Sequence, residues 1–314
     1  MVRSVPERDA GGGPRARGGG GSDGGSRGGP GGPPRGAPAP PPAVVGDWWS
    51  LLLIRETARG HLRFDALQQE LGISRKVLAE RLAHLVDAEV LEKVPYQSGP
   101  VRFEYQLTDT GRGLLPVLLS MQDWADRWVF GDGSLSGTAD EESEQARRVA
   151  ALTGERLPHL ELPGHRDGEP LDPVAPGVAA TVLFCYPATG RPSPLPDGWA
   201  DIPGAVGCTL ENRLFRDAYD AFRAAGAEVR GVSTQRPDEQ RVFAVEEGLP
   251  FTLLSDVDLR LSAALRLPVF RAGQALRLKR AVLVVDRDRT IRHARFPITD
   301  IPTAVTEALT LVRG

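Results

Sequence analysis

The run Ala180-Thr-Val-Leu-Phe-Cys-Tyr186 offers no polar face. A strand of that kind needs both faces of its sheet covered, so it commits its part of the chain to a layered sheet with helices packed on it. Similar runs recur at Glu228-Val-Arg-Gly-Val-Ser233 and Ala281-Val-Leu-Val-Val-Asp286. Helical periodicity lies between and after them, over 210–225, 237–247, 259–265 and 301–312. The alternation predicts an α/β sandwich over residues 178–314.

Upstream the patterning is different. Residues 131–177 are rich in Gly, Ser, Asp, Glu and Pro, with one short helical stretch over 141–152, and read as a flexible linker. Before that, residues 46–130 carry Ile54, Leu62, Phe64, Leu67 and Leu71 among polar positions, then Gly72-Ile73-Ser74, a turn ending in a good helix N-cap. The helix predicted over 74–88 places Leu78, Leu82 and Leu85 on one side and Lys76, Ala79, Glu80 and Ala83 on the other, with Arg75 at its N-terminal edge. A hairpin follows. Val101, Phe103, Tyr105 and Leu107 alternate opposite residues 91–96, and Gln97-Ser-Gly-Pro100 forms the tip.

Residues 1–45 are Gly, Pro, Arg and Ala with almost nothing to build a core, and read as a disordered tail. The expected class is therefore multidomain, α+β followed by α/β. A chain of 314 residues with 41% hydrophobic content suffices for two cores. Two cysteines cannot build a disulfide framework, and the sequence has no signal-peptide pattern and no apolar run long enough to span a membrane, so a soluble, cytoplasmic chain is expected.

A formal net charge of −3 excludes a uniformly basic nucleic-acid binder but leaves room for a local basic face. The exposed N-terminal half of the helix over 74–88 is such a face. Arg75 and Lys76 can meet guanine or phosphate, Glu80 can accept from a cytosine amino group, and Ala79 shares their exposed side as part of the expected DNA-binding set. Lys93 and Arg102 on the hairpin suit phosphate, which fixes register without reading sequence. Residues 46–130 resemble the HxlR-type winged helix-turn-helix regulators, relatives of the MarR class. The resemblance rests on Gly46-Asp-Trp-Trp-Ser-Leu-Leu-Leu-Ile-Arg55, Arg63-Phe64, Gly72-Ile-Ser-Arg-Lys-Val-Leu-Ala-Glu-Arg-Leu82, Glu104-Tyr-Gln-Leu-Thr108, Gly111-Arg112, Leu115-Pro-Val-Leu118 and the stretch from Trp124 to Trp128. It implies a homodimer that binds double-stranded operator DNA, with Leu114, Leu118, Met121, Trp124 and Trp128 suited to the pairing face. Many such proteins carry a sensing cysteine ahead of this region. Here Ala39-Pro-Pro-Pro-Ala-Val-Val45 has none, so any thiol sensing must come from elsewhere.

Cys208 is one of only two cysteines and sits where a loop becomes a helix, in Gly204-Ala-Val-Gly-Cys-Thr-Leu-Glu-Asn-Arg213. Backbone N–H groups and the positive end of the helix dipole favour a thiolate there. Gly207 lets the backbone approach, and Thr209 can cap a helix beginning at Leu210. His159, His165 and His293 have no metal-ligand spacing and no Gly-rich phosphate loop is present, so neither a metal nor an organic cofactor is expected.

From about Val178 the chain resembles the peroxiredoxin-like branch of the thioredoxin fold, the AhpC/TSA group nearest the bacterioferritin-comigratory proteins. The matching elements are Leu183-Phe-Cys-Tyr-Pro187, Gly207-Cys-Thr209, Phe215-Arg-Asp217, Gly231-Val-Ser-Thr234, Leu249-Pro-Phe-Thr-Leu-Leu-Ser-Asp256 and Arg280-Ala-Val-Leu-Val-Val-Asp286. The resemblance implies that Cys208 is the peroxidatic thiol and that Arg280 lowers its pKa and orients the peroxide. Ala205 stands where relatives have a hydroxyl residue, with Thr189 a candidate replacement. Arg213 stands where many carry a resolving cysteine. An oxidised Cys208 would therefore need an external thiol reductant, a second subunit, or Cys185 as redox partner. The expected function is a DNA-binding transcription regulator with a peroxide-sensing or peroxide-reducing domain. A thiol peroxidase with an accessory DNA-binding domain, and a regulator with a redox-inactive interaction module, are the alternatives.

Overall fold

In the computed structural model, which describes residues 44–313, each helix of the N-terminal part begins where the chain supplies a cap or a turn. Asp47 accepts from the Ser50 N–H at 3.0 Å and opens α1 (Trp48–Ala58). Helix α2 (Phe64–Leu71) ends at Gly72, whose φ of 59° is a left-handed conformation that glycine adopts without strain. Ser74 then accepts from the Val77 N–H and opens α3 (Arg75–Asp87). Strands β1 (Leu91–Ser98) and β2 (Val101–Leu107) form an antiparallel hairpin in the register Leu91 to Leu107. The short α4 (Asp109–Arg112) and the long α5 (Leu115–Trp128) complete this half.

The C-terminal half is built on a five-stranded sheet in the order β11-β10-β5-β6-β7. Strands β5 (Ala180–Cys185), β6 (Ala227–Ser233) and β7 (Thr252–Ser255) are parallel, and β10 (Ala281–Asp286) and β11 (Ile291–Arg295) add an antiparallel edge. One face packs against α7 (Cys208–Asp217), α8 (Tyr219–Ala224), α9 (Pro237–Glu246) and α11 (Ile301–Arg313), with Phe184 stacked on Phe215 at 4.2 Å between ring centroids. α10 (Arg260–Ala264) and the hairpin β8 (Val269–Ala272) with β9 (Ala275–Leu278) complete the fold. The helix expected over 210–225 is broken in two near Ala218. The tail expected over residues 1–45 lies almost wholly outside the described residues. Among these no helix is long and apolar enough to cross a membrane.

The segment expected to be a flexible linker is packed. Its short α6 (Glu144–Ala150) is capped by Ser143, and β3 (Leu162–Pro163) pairs with β4 (Pro170–Leu171). Ala146, Val149, Leu152, Leu157, Leu162 and Val174 enter one continuous apolar core that also contains Leu53, Leu82 and Leu119 of the first half and Leu183, Leu254 and Leu283 of the sheet. Arg148 donates to both carboxylate oxygens of Asp126 on α5, at 2.9 and 2.6 Å, and both side chains are buried. Arg289 holds the Leu157 and Pro158 carbonyls and the Asp172 carboxylate. Gly, Pro and acidic residues dominate the composition of 131–177, but its few apolar side chains are placed where they can be buried, and burial decides the outcome.

Candidate functional site

Residues 205–211 wrap a single thiol. Gly207 takes φ 109°, and a Cβ on it would come within 2.7 Å of the Ile301 side chain, so only glycine makes this approach. Helix α7 starts at Cys208 itself, with Gly207 as N-cap. Thr209 lies inside the first turn without a capping hydrogen bond, which corrects its expected role. Cys208 is 3% exposed, and its Sγ faces the Ala205 carbonyl at 3.6 Å. The Arg280 guanidinium reaches the same sulfur from the sheet: Nη2 is 3.6 Å from Sγ and donates to the Val206 carbonyl at 3.1 Å. The other nitrogen, Nη1, forms a buried ion pair with Glu211.

Glu211 is the residue that sequence reasoning missed. It stands three positions after Cys208, so on a helix the two share a face, and that spacing was the available signal. Burial pushes the Cys208 thiol above the usual cysteine range. Arg280 and the Ala188 N–H pull it down, while Glu211 adds to the upward push. The thiolate expected from the helix N-terminus and Arg280 is thus opposed by burial and by a carboxylate that takes part of the guanidinium's charge. Burial also raises Glu211, to about 7, against the pull of Arg280. The folded chain therefore binds a proton here that the unfolded chain has released, between the ordinary carboxylate range and about pH 7. The stability that Glu211 contributes is present below that window and is lost as pH rises through it. Glu211→Gln is expected to lower the midpoint of Cys208 alkylation by iodoacetamide as a function of pH. An unchanged or higher midpoint would refute the role given to the carboxylate.

Several expected partners lie elsewhere. Thr189 directs its hydroxyl to Gln235 and the Arg191 carbonyl rather than to the thiol. Cys185 is fully buried with its thiol pushed up by burial, and it belongs to the core on one side of the sheet while Cys208 belongs to the core on the other. Side chains at successive strand positions point to opposite faces, so Cys185 is not placed to resolve Cys208. Arg213 forms a two-pronged ion pair with Glu247, at 2.6 and 2.9 Å, tying α7 to the end of α9. The Trp199 ring packs on Phe270. Glu56, His61 and Glu70 bring ligand atoms within 4.8 Å of one another, but Arg59 already donates to both carboxylates.

In the first half, Arg75, Lys76, Ala79 and Glu80 are all exposed on α3, and Lys93 and Arg102 are exposed on the hairpin. Arg75 pairs with Asp65 at 3.2 Å and lies over the Phe64 ring, Lys76 approaches Glu80 at 3.9 Å, and Lys93 lies over Phe103. Met121, Trp124 and Trp128 on α5 are exposed together with Trp48 on α1, and Trp48, Met121 and Trp124 border an apolar groove of about 620 Å³ that also reaches Ala263 and Arg266.

Residues 44–132 match the HxlR-like helix-turn-helix family, and residues 203–294 match the AhpC/TSA family. An uncharacterized HTH-type transcriptional regulator of Mycobacterium tuberculosis is 41% identical over 86 residues, 27% of this chain and 54% of that protein. The chain thus spans about half the length of that relative. The uncharacterized HTH-type transcriptional regulator YvaP of Bacillus subtilis is 35% identical over 82 residues, 26% of this chain and 76% of that protein. The chloroplastic peroxiredoxin Q of Populus jackii is 41% identical over 75 residues, 24% of this chain and 29% of that protein.

Proposed function

The chain belongs to the HxlR-like helix-turn-helix family and joins that domain to one of the AhpC/TSA family, and we propose that it is a DNA-binding regulator whose reporter of peroxide is Cys208. The observation that carries the reading is the buried Cys208 at the N-terminus of α7 with the Arg280 guanidinium on its sulfur, in a domain that shares one core with the DNA-binding half. The ionised sulfur attacks one oxygen of a hydroperoxide. An S–O bond forms as the O–O bond breaks, and the leaving oxygen takes a proton and departs as water or an alcohol. Cys208 is left as a sulfenic acid, oxidised by two electrons. Arg280 supplies N–H donors where negative charge moves from sulfur to oxygen.

Three features support reporting over rapid turnover. Burial raises the thiol, residue 213 is an arginine, and Cys185 lies across the sheet. Reduction then falls to an external thiol. The exposed face of α3 suits the major groove, with Lys93 and Arg102 toward phosphate. The apolar groove along α5 suits a second copy of the chain. The test uses a duplex selected from a randomised pool by the reduced full-length protein, with affinity measured at fixed salt for reduced, peroxide-treated and Cys208→Ser protein. A changed affinity in the peroxide-treated wild type alone is expected. Equal affinities in all three would end the sensing reading and leave DNA binding intact.

A further inference from the structure

The turn that holds the thiol also holds the start of the connecting segment. Leu135 packs on the cluster formed by Ala188, Trp199, Ile202, Ala205 and Phe270. The Gly137 N–H donates to the Pro203 carbonyl at 2.8 Å. The fit is close: a Cβ on Gly137 would stand 3.1 Å from the Pro203 oxygen and the Ala205 nitrogen, and one on Gly204 would stand 2.7 Å from the Thr138 Cβ. Two residues beyond Pro203, the Ala205 carbonyl faces the Cys208 sulfur. A second grip comes from the two-residue link between β9 and β10. Lys279, buried, donates to the Thr138 carbonyl at 2.9 Å, while its neighbour Arg280 holds Cys208 and Glu211.

At its other end the same segment is locked to the tip of α5. Arg127 Nε donates to the Gly133 carbonyl at 2.6 Å, and the Gly133 N–H donates back to the Arg127 carbonyl at 2.9 Å. Gly133 has φ 86°, and a Cβ there would lie 2.6 Å from the Trp128 ring. Trp128 is on the exposed apolar face of α5.

We infer that residues 133–138 are the mechanical readout of the peroxide site, released from the Pro203-Gly204-Ala205 turn when Cys208 becomes a sulfenic acid. This rests on the sensing reading above. Cys208 is 3% exposed and its S–H is directed at the Ala205 carbonyl, so the S–OH of the sulfenic acid cannot keep that contact unchanged and displaces the Ala205 carbonyl. The turn moves as a unit because Gly137 and Thr138 are fitted against it, and losing the Gly137 to Pro203 hydrogen bond frees the segment that positions Trp128 and Arg127. Two sites are thereby coupled through an element with two discrete arrangements.

The test is hydrogen–deuterium exchange on the full-length protein, reduced or treated with stoichiometric hydrogen peroxide, with mass spectrometry of the Cys208 peptide on the same samples. Exchange at Gly137 is expected to rise ~10-fold or more on oxidation, as an opened amide requires, and not at all in Cys208→Ser. If Cys208 gains one oxygen while exchange over 133–138 stays unchanged, the readout role is overturned and the sensing reading stands. If Cys208 gains no oxygen, both fall. Gly137→Ala crowds the turn without touching the thiol and is expected to show raised exchange over 133–138 in the reduced state. It should also give an affinity for the selected duplex close to that of oxidised wild type. Lys279→Met, which removes the Thr138 grip together with the positive charge near Asp123 and Asp126, is expected to shift both readouts in the same direction and serves if Gly137→Ala fails to fold. Wild-type exchange together with a wild-type oxidised-to-reduced affinity ratio, in whichever variant folds, would overturn the inference.

Discussion

Arg280→Met is expected to slow sulfenic acid formation at Cys208 by ~10²–10³-fold, the cost of removing a donor aimed at developing charge in a water-poor site. The guanidinium is 3% exposed and serves the sulfur, the Val206 carbonyl and Glu211 at once. Methionine fills much of the volume but donates nothing. Glu211 already sits at about 7 with Arg280 beside it. Without the cation it is protonated at neutral pH, so the fold loses less than an uncompensated buried charge would cost. The loss then falls mainly on chemistry. Arg280→Lys restores charge but not the fork, and should recover only part of the rate. The measurement is trapping of the sulfenic acid against time at stoichiometric hydrogen peroxide, with circular dichroism to confirm folding. A wild-type rate in Arg280→Met would remove the arginine from the mechanism.

Asp126→Ala should destabilise the whole chain by ~3–5 kcal/mol, because it leaves Arg148 buried without its carboxylate. In a protein of this size that corresponds to a fall in Tm of roughly 10 °C. Arg148 belongs to the connecting segment and Asp126 to α5, so the pair fastens that segment to the first half, while Arg148 Nε donates to the Arg266 carbonyl of the second. The apolar core passes through both halves as well, so the loss should appear in a single unfolding transition rather than in one half alone. Removing both partners, as Asp126→Leu with Arg148→Met, is expected to recover much of the loss. A loss confined to one of two separated transitions would show that the halves fold independently.

The sheet was legible because strands buried on both faces leave continuous apolar runs, and β5, β6 and β10 lie within a residue of where those runs placed them. Helix α3 was legible from Ser74 and the spacing of Leu78, Leu82 and Leu85. The connecting segment was not. Its composition is that of a linker, and what orders it are pairings remote in sequence, Arg148 with Asp126 and Arg289 with Leu157 and Asp172, which no local pattern reports. At the site, Cys208 and Arg280 came from motif and resemblance. Glu211 was overlooked because its negative charge runs against the expected chemistry, although its spacing from Cys208 was in plain view. Cys185 kept two readings in the sequence, and only strand parity, Leu183 and Cys185 to one side and Phe184 and Tyr186 to the other, separates it from Cys208.

In the proposed sensor, that separation of the two thiols would set how long a signal lasts. A sensor with a resolving cysteine on the same face discharges its own sulfenic acid within the molecule, and the time course is then intrinsic to the protein. With the sheet between them, Cys208 would have no such discharge from Cys185, and its oxidised form would decay at a rate proportional to the concentration of whatever small thiol reaches it. Peroxide would decide when the regulator changes state. The reducing capacity of its surroundings would decide when it changes back.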